Sequence, residues 1–222
     1  MTFLQEFVKR MKSEPKKKSF QWIVSEDKVL WLKDNKKLRE ACRNMKTEGL
    51  RKHKFHLIRD WFMVELGLFT GFRVMEVQNL RVSDLLIRDS LSSIHVRRGK
   101  GDKKRDVWIN TELKHNCIEF LVIRKQFKFT NNPEDFVFCS SSGKSITTRC
   151  LQKAFQRCLD QAGIIAHYTF HCMRHTYATF LLDLSNLRVV QEQLGHSSVK
   201  TTEIYTSLIQ KSVKKSLEKI YK

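Results

Sequence analysis

Apolar residues recur at helical spacing through most of the chain, and one short central stretch interrupts them with strand-like runs. Residues 53–69 are largely apolar, which predicts a long buried helix that Gly71 ends. Similar stripes predict further helices at about 111–126, 147–162, 171–184, 188–194, 198–206 and 208–221. The pattern therefore predicts a mainly helical protein.

Three β-type runs follow the long helix, at residues 85–87, 93–96 and 106–109. Gly99, Lys100, Gly101 and Asp102 supply turn residues between the second and third runs, as expected for a hairpin. The sequence thus predicts an α+β fold, mainly α-helical, with a small three-stranded antiparallel sheet.

The N-terminal segment differs from the rest in composition. Residues 1–13 are predicted to form a short amphipathic helix, and 14–19 resemble a basic linker. Ser25 is followed by two acidic residues, which is typical of a helix start. The first residues lack the pattern of a secretory signal. We expect an N-terminal helix and linker over 1–24, a main domain over 25–206 and a C-terminal helix over 207–222.

The charge balance points to a polyanionic partner. The 222 residues include 42 Lys and Arg against 23 Asp and Glu, a formal net charge of +19. Such an excess favours nucleic acid first and an acidic membrane second, and no apolar run approaches the roughly 20 residues of a membrane span. The six cysteines lack Cys-x-x-Cys or zinc-finger spacing, which favours reduced, mostly buried thiols in a cytosolic protein.

Two arginines and two histidines form a candidate phosphate-binding set. Arg73 and Arg174 come from distant segments, which suits a clamp, because guanidinium groups stay charged and pair bidentately with phosphate oxygens. His171 lies three residues before Arg174, and His196 follows in a Leu-Gly-His loop. Imidazole groups titrate near working pH, so both can donate hydrogen bonds or move protons.

Tyr205, nine residues after His196, is the candidate nucleophile. A tyrosine hydroxyl can attack phosphorus and hold it covalently, provided that nearby cations and a base activate it. The other tyrosines (Tyr168, Tyr177 and Tyr221) do not share this context, and Tyr177 is expected to pack within its helix.

The glycine-flanked Lys100 is a candidate general acid for the leaving 5′-oxygen. Lys103 and Lys104 are close enough in sequence to be alternatives, and the hairpin could instead contact phosphates only. We also expect Lys103, Lys104 and Arg105 to bind DNA.

Two further residues are expected to support this set. Glu76, three residues after Arg73, would orient the arginine or brace a loop, and His175 would face the helix interior or brace its loop. No carboxylate cluster of the kind that holds Mg²⁺ is evident, so we expect chemistry without metal or cofactor.

These motifs together resemble the tyrosine recombinase, or phage integrase, family from about Ser25 to the C-terminus. The matching segments are Thr70-Gly71-Phe72-Arg73-Val74-Met75-Glu76, Gly99-Lys100-Gly101, His171-Cys172-Met173-Arg174-His175, Leu194-Gly195-His196 and Tyr205. The resemblance implies an integrase-like catalytic domain. It also implies a catalytic set of Arg73, Lys100, His171, Arg174, His196 and Tyr205.

The family's activity is the cutting and rejoining of DNA through a 3′-phosphotyrosyl link, without ATP or metal. The resemblance implies double-stranded DNA as partner, a homo-tetramer on two DNA sites, accessory DNA-binding proteins and no membrane. It also implies a prokaryotic, cytoplasmic protein encoded by a phage or plasmid. Only about 24 residues precede the match, so the chain resembles short members without a full core-binding domain. Either residues 1–24 and a partner protein replace that domain, or the chain is a fragment.

Other interpretations of the sequence stay open. A DNA-relaxing enzyme of the type IB topoisomerase kind would share the chemistry, and a regulatory or architectural DNA-binding protein would carry a vestigial site. The C-terminal segment has an apolar stripe of Ile209, Val213, Leu217 and Ile220. This stripe is expected to pack either on its own domain or on a neighbouring protomer.

Overall fold

The computed structural model describes residues 26–97, 104–195 and 217–218. A 3₁₀ turn at Glu26–Lys28 precedes seven helices within these ranges: α1 Leu32–Arg51, α2 Phe55–Thr70, α3 Val74–Gln78, α4 Thr111–Gln126, α5 Thr148–Gln161, α6 Phe170–Leu184 and α7 Leu187–Leu194. A second 3₁₀ turn and three strands separate α3 from α4: Val82–Asp84, β1 Leu85–Leu86, β2 Ser93–Val96 and β3 Arg105–Trp108. The predicted fold class is confirmed. The helices predicted at 1–13 and 198–206, most of that at 208–221 and the hairpin turn lie outside the described residues.

Helix α2 is the centre of the fold. It contacts α1, α4, α5 and α6, and every residue from Ile58 to Thr70 is buried. A helix enclosed in this way has no solvent-facing side, which is why its apolar residues do not form a single stripe. Gly71 ends α2 in the left-handed conformation, with φ of 63°, as the sequence predicted. The site described below begins directly after this glycine.

Helix α1 departs from the expected start at Ser25. The acidic residues after Ser25 form only a short 3₁₀ turn, and the α-helix begins at Leu32. The backbone N–H of Leu30 donates to Thr176 Oγ1 of α6 at 2.9 Å. This bond fixes the chain against the core just before the helix begins.

The sheet is antiparallel with the order β1-β2-β3. Ile94 of β2 lies opposite Leu85 of β1 and Val107 of β3, and Val96 lies opposite Arg105. Ile94, Val96 and Val107 are buried and attach the sheet to the core. Strand β3 also contacts α7, which places the side chain of Arg105 near the end of that helix.

The apolar core is divided into two clusters that meet along α6. The larger cluster contains residues of α1, α2, the sheet, α4, α5 and the first turn of α6. The smaller cluster joins the later part of α6 to α7 and Leu217; its members are Tyr177, Ala178, Leu181, Val189, Val190, Leu194 and Leu217.

The described C-terminal pair, Leu217 and Glu218, contacts the start of α4 in the same chain. Asn110 Nδ2 donates to the carbonyl of Leu217 at 3.2 Å, and the backbone N–H of Thr111 donates to Glu218 Oε1 at 3.0 Å. Exchange of the C-terminal helix between protomers stays a prediction.

The cysteines are free thiols, as the sequence predicted. Cys42, Cys117, Cys139, Cys158 and Cys172 are buried and Cys150 is half-buried. Over the described ranges, no helix combines the length and apolarity needed to cross a membrane.

Candidate active site

The first part of the site is the turn between α2 and α3. Arg73 is the N-cap residue of α3, with extended backbone angles. Its backbone N–H donates to Glu76 Oε2 at 2.9 Å, and its Nη1 donates to Glu76 Oε1 at 3.1 Å. Glu76 therefore satisfies the exposed start of the helix and holds the guanidinium of Arg73 at the same time.

Arg174 of α6 joins this turn to the end of α7. The residue is 4% exposed. Its Nη1 donates to the carbonyl of Gly71 at 2.8 Å, and its Nη2 donates to the carbonyl of Leu194 at 2.7 Å. One guanidinium thus links the segment that leads into Arg73 with the segment that leads into Gly195.

His171 and His175 lie one turn apart on α6, with ring centroids 4.6 Å apart in an edge-on arrangement. Partial burial of the His171 ring, followed by the charges of Arg174 and Arg73, lowers its pKa. Burial and the neighbouring His171, with Lys28 and Arg174, lower the pKa of His175 to about 4. Both imidazoles are therefore neutral near pH 7.

Arg105, expected to bind DNA, makes internal contacts in this structure. Its Nη1 and Nη2 donate to the two carboxylate oxygens of Glu76 at 2.8 and 3.0 Å. Its Nε donates to the carbonyl of Gln193 at 3.1 Å. Only 10% of the side chain is exposed. A contact between Arg105 and DNA stays a prediction, but the guanidinium is already bound to the site's carboxylate.

The site carries more positive than negative charge among the described residues. Arg73 and Arg105 are bound to a single carboxylate, that of Glu76, and Arg174 lies close enough to interact with all three. Burial first, and then the charge of Arg73, lower the pKa of Arg174 to about 9. Burial alone would raise the pKa of Glu76, but the hydrogen bonds and charge of Arg105, with Arg73 and Arg174, lower it. Such an arrangement is suited to an added anion.

A cleft of about 470 Å³ opens beside these groups. Arg73, His171, and Gln152 and Gln156 of α5 all line it. Arg73 and His171 can therefore contact the same ligand, while Arg174 is buried and is not among the residues that line the cleft.

The structure describes one of the five remaining candidate residues. Lys104 is exposed just before β3. Lys100, Lys103, His196 and Tyr205 lie outside the described residues, although Gly195 ends α7 immediately before His196. No group of three or more His, Cys, Asp or Glu side chains within the described ranges is placed to hold a metal ion.

Sequence reasoning missed the internal partners of Arg105. The Lys-Lys-Arg run at 103–105 was predicted to bind DNA. Pattern alone gave no signal that its last residue pairs with a carboxylate 29 positions earlier.

Comparison with known proteins places the chain in a family. The family model described as the phage integrase family matches residues 28–211. The tyrosine recombinase XerC of Actinobacillus pleuropneumoniae is 37% identical over 153 residues, which cover 68% of this chain and 48% of that protein. The tyrosine recombinase XerD of Rickettsia bellii is 32% identical over 201 residues, which cover 85% of this chain and 62% of that protein.

A solved structure shows the same fold. The XerH site-specific recombinase bound to its difH substrate in a pre-cleavage complex superposes with a TM-score of 0.60 and 25% identity, covering 81% of this chain and 48% of that one. The chain spans about half the length of the XerC relative that it matches.

Proposed function

The chain belongs to the phage integrase family of tyrosine recombinases, and we propose that it cuts and rejoins DNA site-specifically through a 3′-phosphotyrosyl intermediate. The observation that carries the proposal is the arginine cluster: Arg73 and Arg174 lie close to each other and to His171, whose pKa their charges lower together with burial. A scissile phosphate would bring a negative charge to this cluster.

The described side chains match the needs of phosphodiester cleavage. A phosphodiester is already an anion, and its pentacoordinate transition state gathers further negative charge, which preorganised guanidinium groups stabilise. Neutral His171 would hydrogen-bond a non-bridging oxygen or pass a proton, because its pKa is lowered. These roles require that the phosphate enter the cleft shared by Arg73 and His171.

The proposed reaction conserves the phosphodiester bond energy. The Tyr205 oxygen attacks phosphorus and transfers its proton to His171 or His196, while the bond to the 5′-oxygen breaks and Lys100 protonates that oxygen. A 5′-hydroxyl from a second duplex then attacks the phosphotyrosyl link and returns a proton to Lys100, and Tyr205 leaves and regains its proton from the histidine. Neither ATP nor a metal enters these steps. Two duplexes must be held together for the exchange, so we also propose a homo-tetramer on two DNA sites.

Covalent capture tests the proposal. The full chain is incubated with a library of nicked duplexes of randomised sequence, in which cleavage next to the nick releases a short fragment and traps the enzyme. We expect denaturant-resistant protein–DNA adducts from the wild type and none from Tyr205→Phe, which should bind DNA equally well. Sequencing the trapped duplexes would give the target site. Absence of adducts from the wild type would contradict the function, and adducts from Tyr205→Phe would assign the nucleophile elsewhere.

A modified substrate tests the general acid separately. Lys100→Ala should cleave a normal duplex poorly but regain activity on one with a 5′-bridging phosphorothiolate, since a thiolate leaves without a proton. Failure of this rescue would remove Lys100 from the role of acid. Cleavage should also persist in the presence of a chelator.

A further inference from the structure

Arg105 makes contacts that place it between three parts of the active site. It begins β3, its guanidinium spans both carboxylate oxygens of Glu76 on α3, and its Nε binds the carbonyl of Gln193 in the last turn of α7. A side chain with 10% exposure and three internal bonds is already fixed in the unbound protein. This geometry differs from that of a flexible basic residue on a DNA-binding surface.

Glu76 connects Arg105 to Arg73. Its Oε1 accepts from the Nη1 of both arginines, at 3.1 Å for Arg73 and 2.8 Å for Arg105. Its Oε2 accepts from the backbone N–H of Arg73 and the Nη2 of Arg105, at 2.9 and 3.0 Å. Arg105 therefore holds both carboxylate oxygens, so Glu76 presents a fixed pair of acceptors to Arg73.

Gly195 supplies an independent sign that Arg105 belongs at this position. A Cβ atom at Gly195 would lie 2.6 Å from Cδ of Arg105 and 3.0 Å from its Nε. The glycine thus leaves room for the arginine stem to pass directly beneath the end of α7. Arg105 consequently fixes the distance between the α3 turn and the point where the chain continues to His196.

We propose that Arg105 is a positioning residue, which locks Glu76 and thereby Arg73 in the orientation that binds the scissile phosphate. This inference rests on the proposed function. It assigns Arg105 no contact with the phosphate itself. The role requires the bidentate contact with Glu76. A lysine at position 105 would keep the positive charge but could not form both hydrogen bonds in this geometry.

The test compares Arg105→Met and Arg105→Lys with a charge-matched control, Lys125→Met, whose exposed side chain lies on the last turn of α4. The substrate is a nicked duplex recovered by covalent capture. At saturating DNA, we expect single-turnover adduct formation to fall on the order of 10²-fold in Arg105→Met, because misplaced catalytic groups cost about that much. Arg105→Lys should recover little of this loss, and Lys125→Met should match the wild type.

The salt dependence of DNA binding separates positioning from phosphate contact. Each phosphate contact that is lost lowers the slope of log Kd against log salt by about 0.9. We expect Arg105→Met to leave this slope unchanged. A slope reduced by that amount, with a normal cleavage rate at saturation, would show that Arg105 binds the DNA backbone and would overturn the proposal.

A double variant tests the connection through Glu76. In a Glu76→Gln background, Arg105→Met should cause no further loss of cleavage, since the carboxylate that it clamps is gone. Losses that multiply instead would show that Arg105 acts independently of Glu76 and would contradict the proposed route.

A last measurement does not depend on catalysis. The side-chain Nε–H signal of Arg73, assigned by its loss in Arg73→Lys, is followed by NMR in the protein without DNA. We expect it to move or broaden in Arg105→Met and in Arg105→Lys but not in Lys125→Met. An unchanged Arg73 signal would overturn the proposal even if the protein forms no adduct. If the Arg73 signal is displaced in the Arg105 variants but the wild type forms no DNA adduct, the positioning role is supported and the recombinase function is contradicted.

Discussion

Arg39 and Arg174 are both buried arginines on helices next to α2, yet their pKa values shift in opposite directions. Arg39 Nη2 lies 2.9 Å from Glu65 Oε2 and also pairs with Glu112. Burial alone would lower the pKa of Arg39, but these carboxylates raise it. Arg174 donates to two backbone carbonyls, and burial first, followed by the charges of Arg73 and Arg105, lowers its pKa to about 9.

The difference indicates what each charge contributes. A buried arginine whose carboxylate partners are part of the fold contributes to a closed ion pair, and removing either partner leaves the other uncompensated. A buried arginine among other guanidinium groups raises the free energy of the unbound protein, and an incoming anion relieves that repulsion. The pair near Glu65 is therefore part of the fold, whereas we propose that the cluster near Glu76 binds a ligand.

Arg39→Met should have the largest effect on stability. It leaves Glu65 buried without its main cationic partner, so we expect the free energy of unfolding to fall by about 3–5 kcal/mol. Urea denaturation measures the loss. The double variant Arg39→Met with Glu65→Leu should recover much of it, because no charge then stays buried; if the double variant is no more stable than the single one, the pair is not the cause.

Arg73→Lys should strongly lower cleavage and hardly change stability. The loss of the guanidinium fork should lower cleavage by about 10²–10³-fold. The unfolding free energy should hardly change, because Arg105 still holds Glu76. Arg43→Lys is the control, because Arg43 is exposed and pairs with Glu112 at the surface. This variant should cleave DNA at the wild-type rate. A large loss of stability in Arg73→Lys would place that arginine with Arg39 rather than with the ligand site.

Gly195→Ala tests how tightly the cluster is packed. Gly163 and Gly195 have nearly the same left-handed φ, 62° and 67°, but a Cβ at Gly163 would meet nothing within 4 Å. Both substitutions should cost about 1–2 kcal/mol of backbone strain. Only Gly195→Ala should also displace Arg105 and slow cleavage. Equal cleavage by the two variants at a temperature where both are folded would argue against the contact with Arg105.

The smallest expected effect concerns pH. The pKa of His175 is about 4 in the folded protein and about 6.5 in an unfolded chain. Between these values the unfolded state binds more protons, so stability is lost as the pH falls from 6.5 towards 4. His175→Gln should therefore show a shallower fall in Tm over that range than the wild type or His115→Gln, a variant of an exposed histidine. If the Tm of His175→Gln falls with pH in parallel with that of the wild type, the pKa of His175 is not lowered in the folded protein.

The sequence predicted most of the architecture because burial there follows simple periods. The stripe predicted at 111–126 has the same bounds as α4, and the sheet occurs where β-type runs stand together. Helix α1 was predicted poorly, because acidic residues after Ser25 suggested an earlier start. The spacing of Leu38, Cys42, Met45 and Gly49 did carry the helical signal.

The ion pairs were harder to predict from the sequence than the helices. Glu65 is one polar residue in an apolar run, and its partner Arg39 lies in a lysine-rich segment that resembles a solvated surface. Arg105 pairs with Glu76 only because β3 is placed against α3 and α7. Such pairings depend on three-dimensional placement, which periodicity does not encode.

The division of the core along α6 has a consequence for the local unfolding of the protein. Among the described residues, the smaller cluster, built from the later part of α6, α7 and Leu217, has far fewer apolar side chains than the larger one. Regions with little buried apolar surface undergo local unfolding at a lower free energy than the whole domain. Amide hydrogens of α7 should therefore exchange earlier than those of α2. We therefore expect α7, from which the chain continues towards Tyr205, to open at a lower free energy than the core that holds the Arg73 turn.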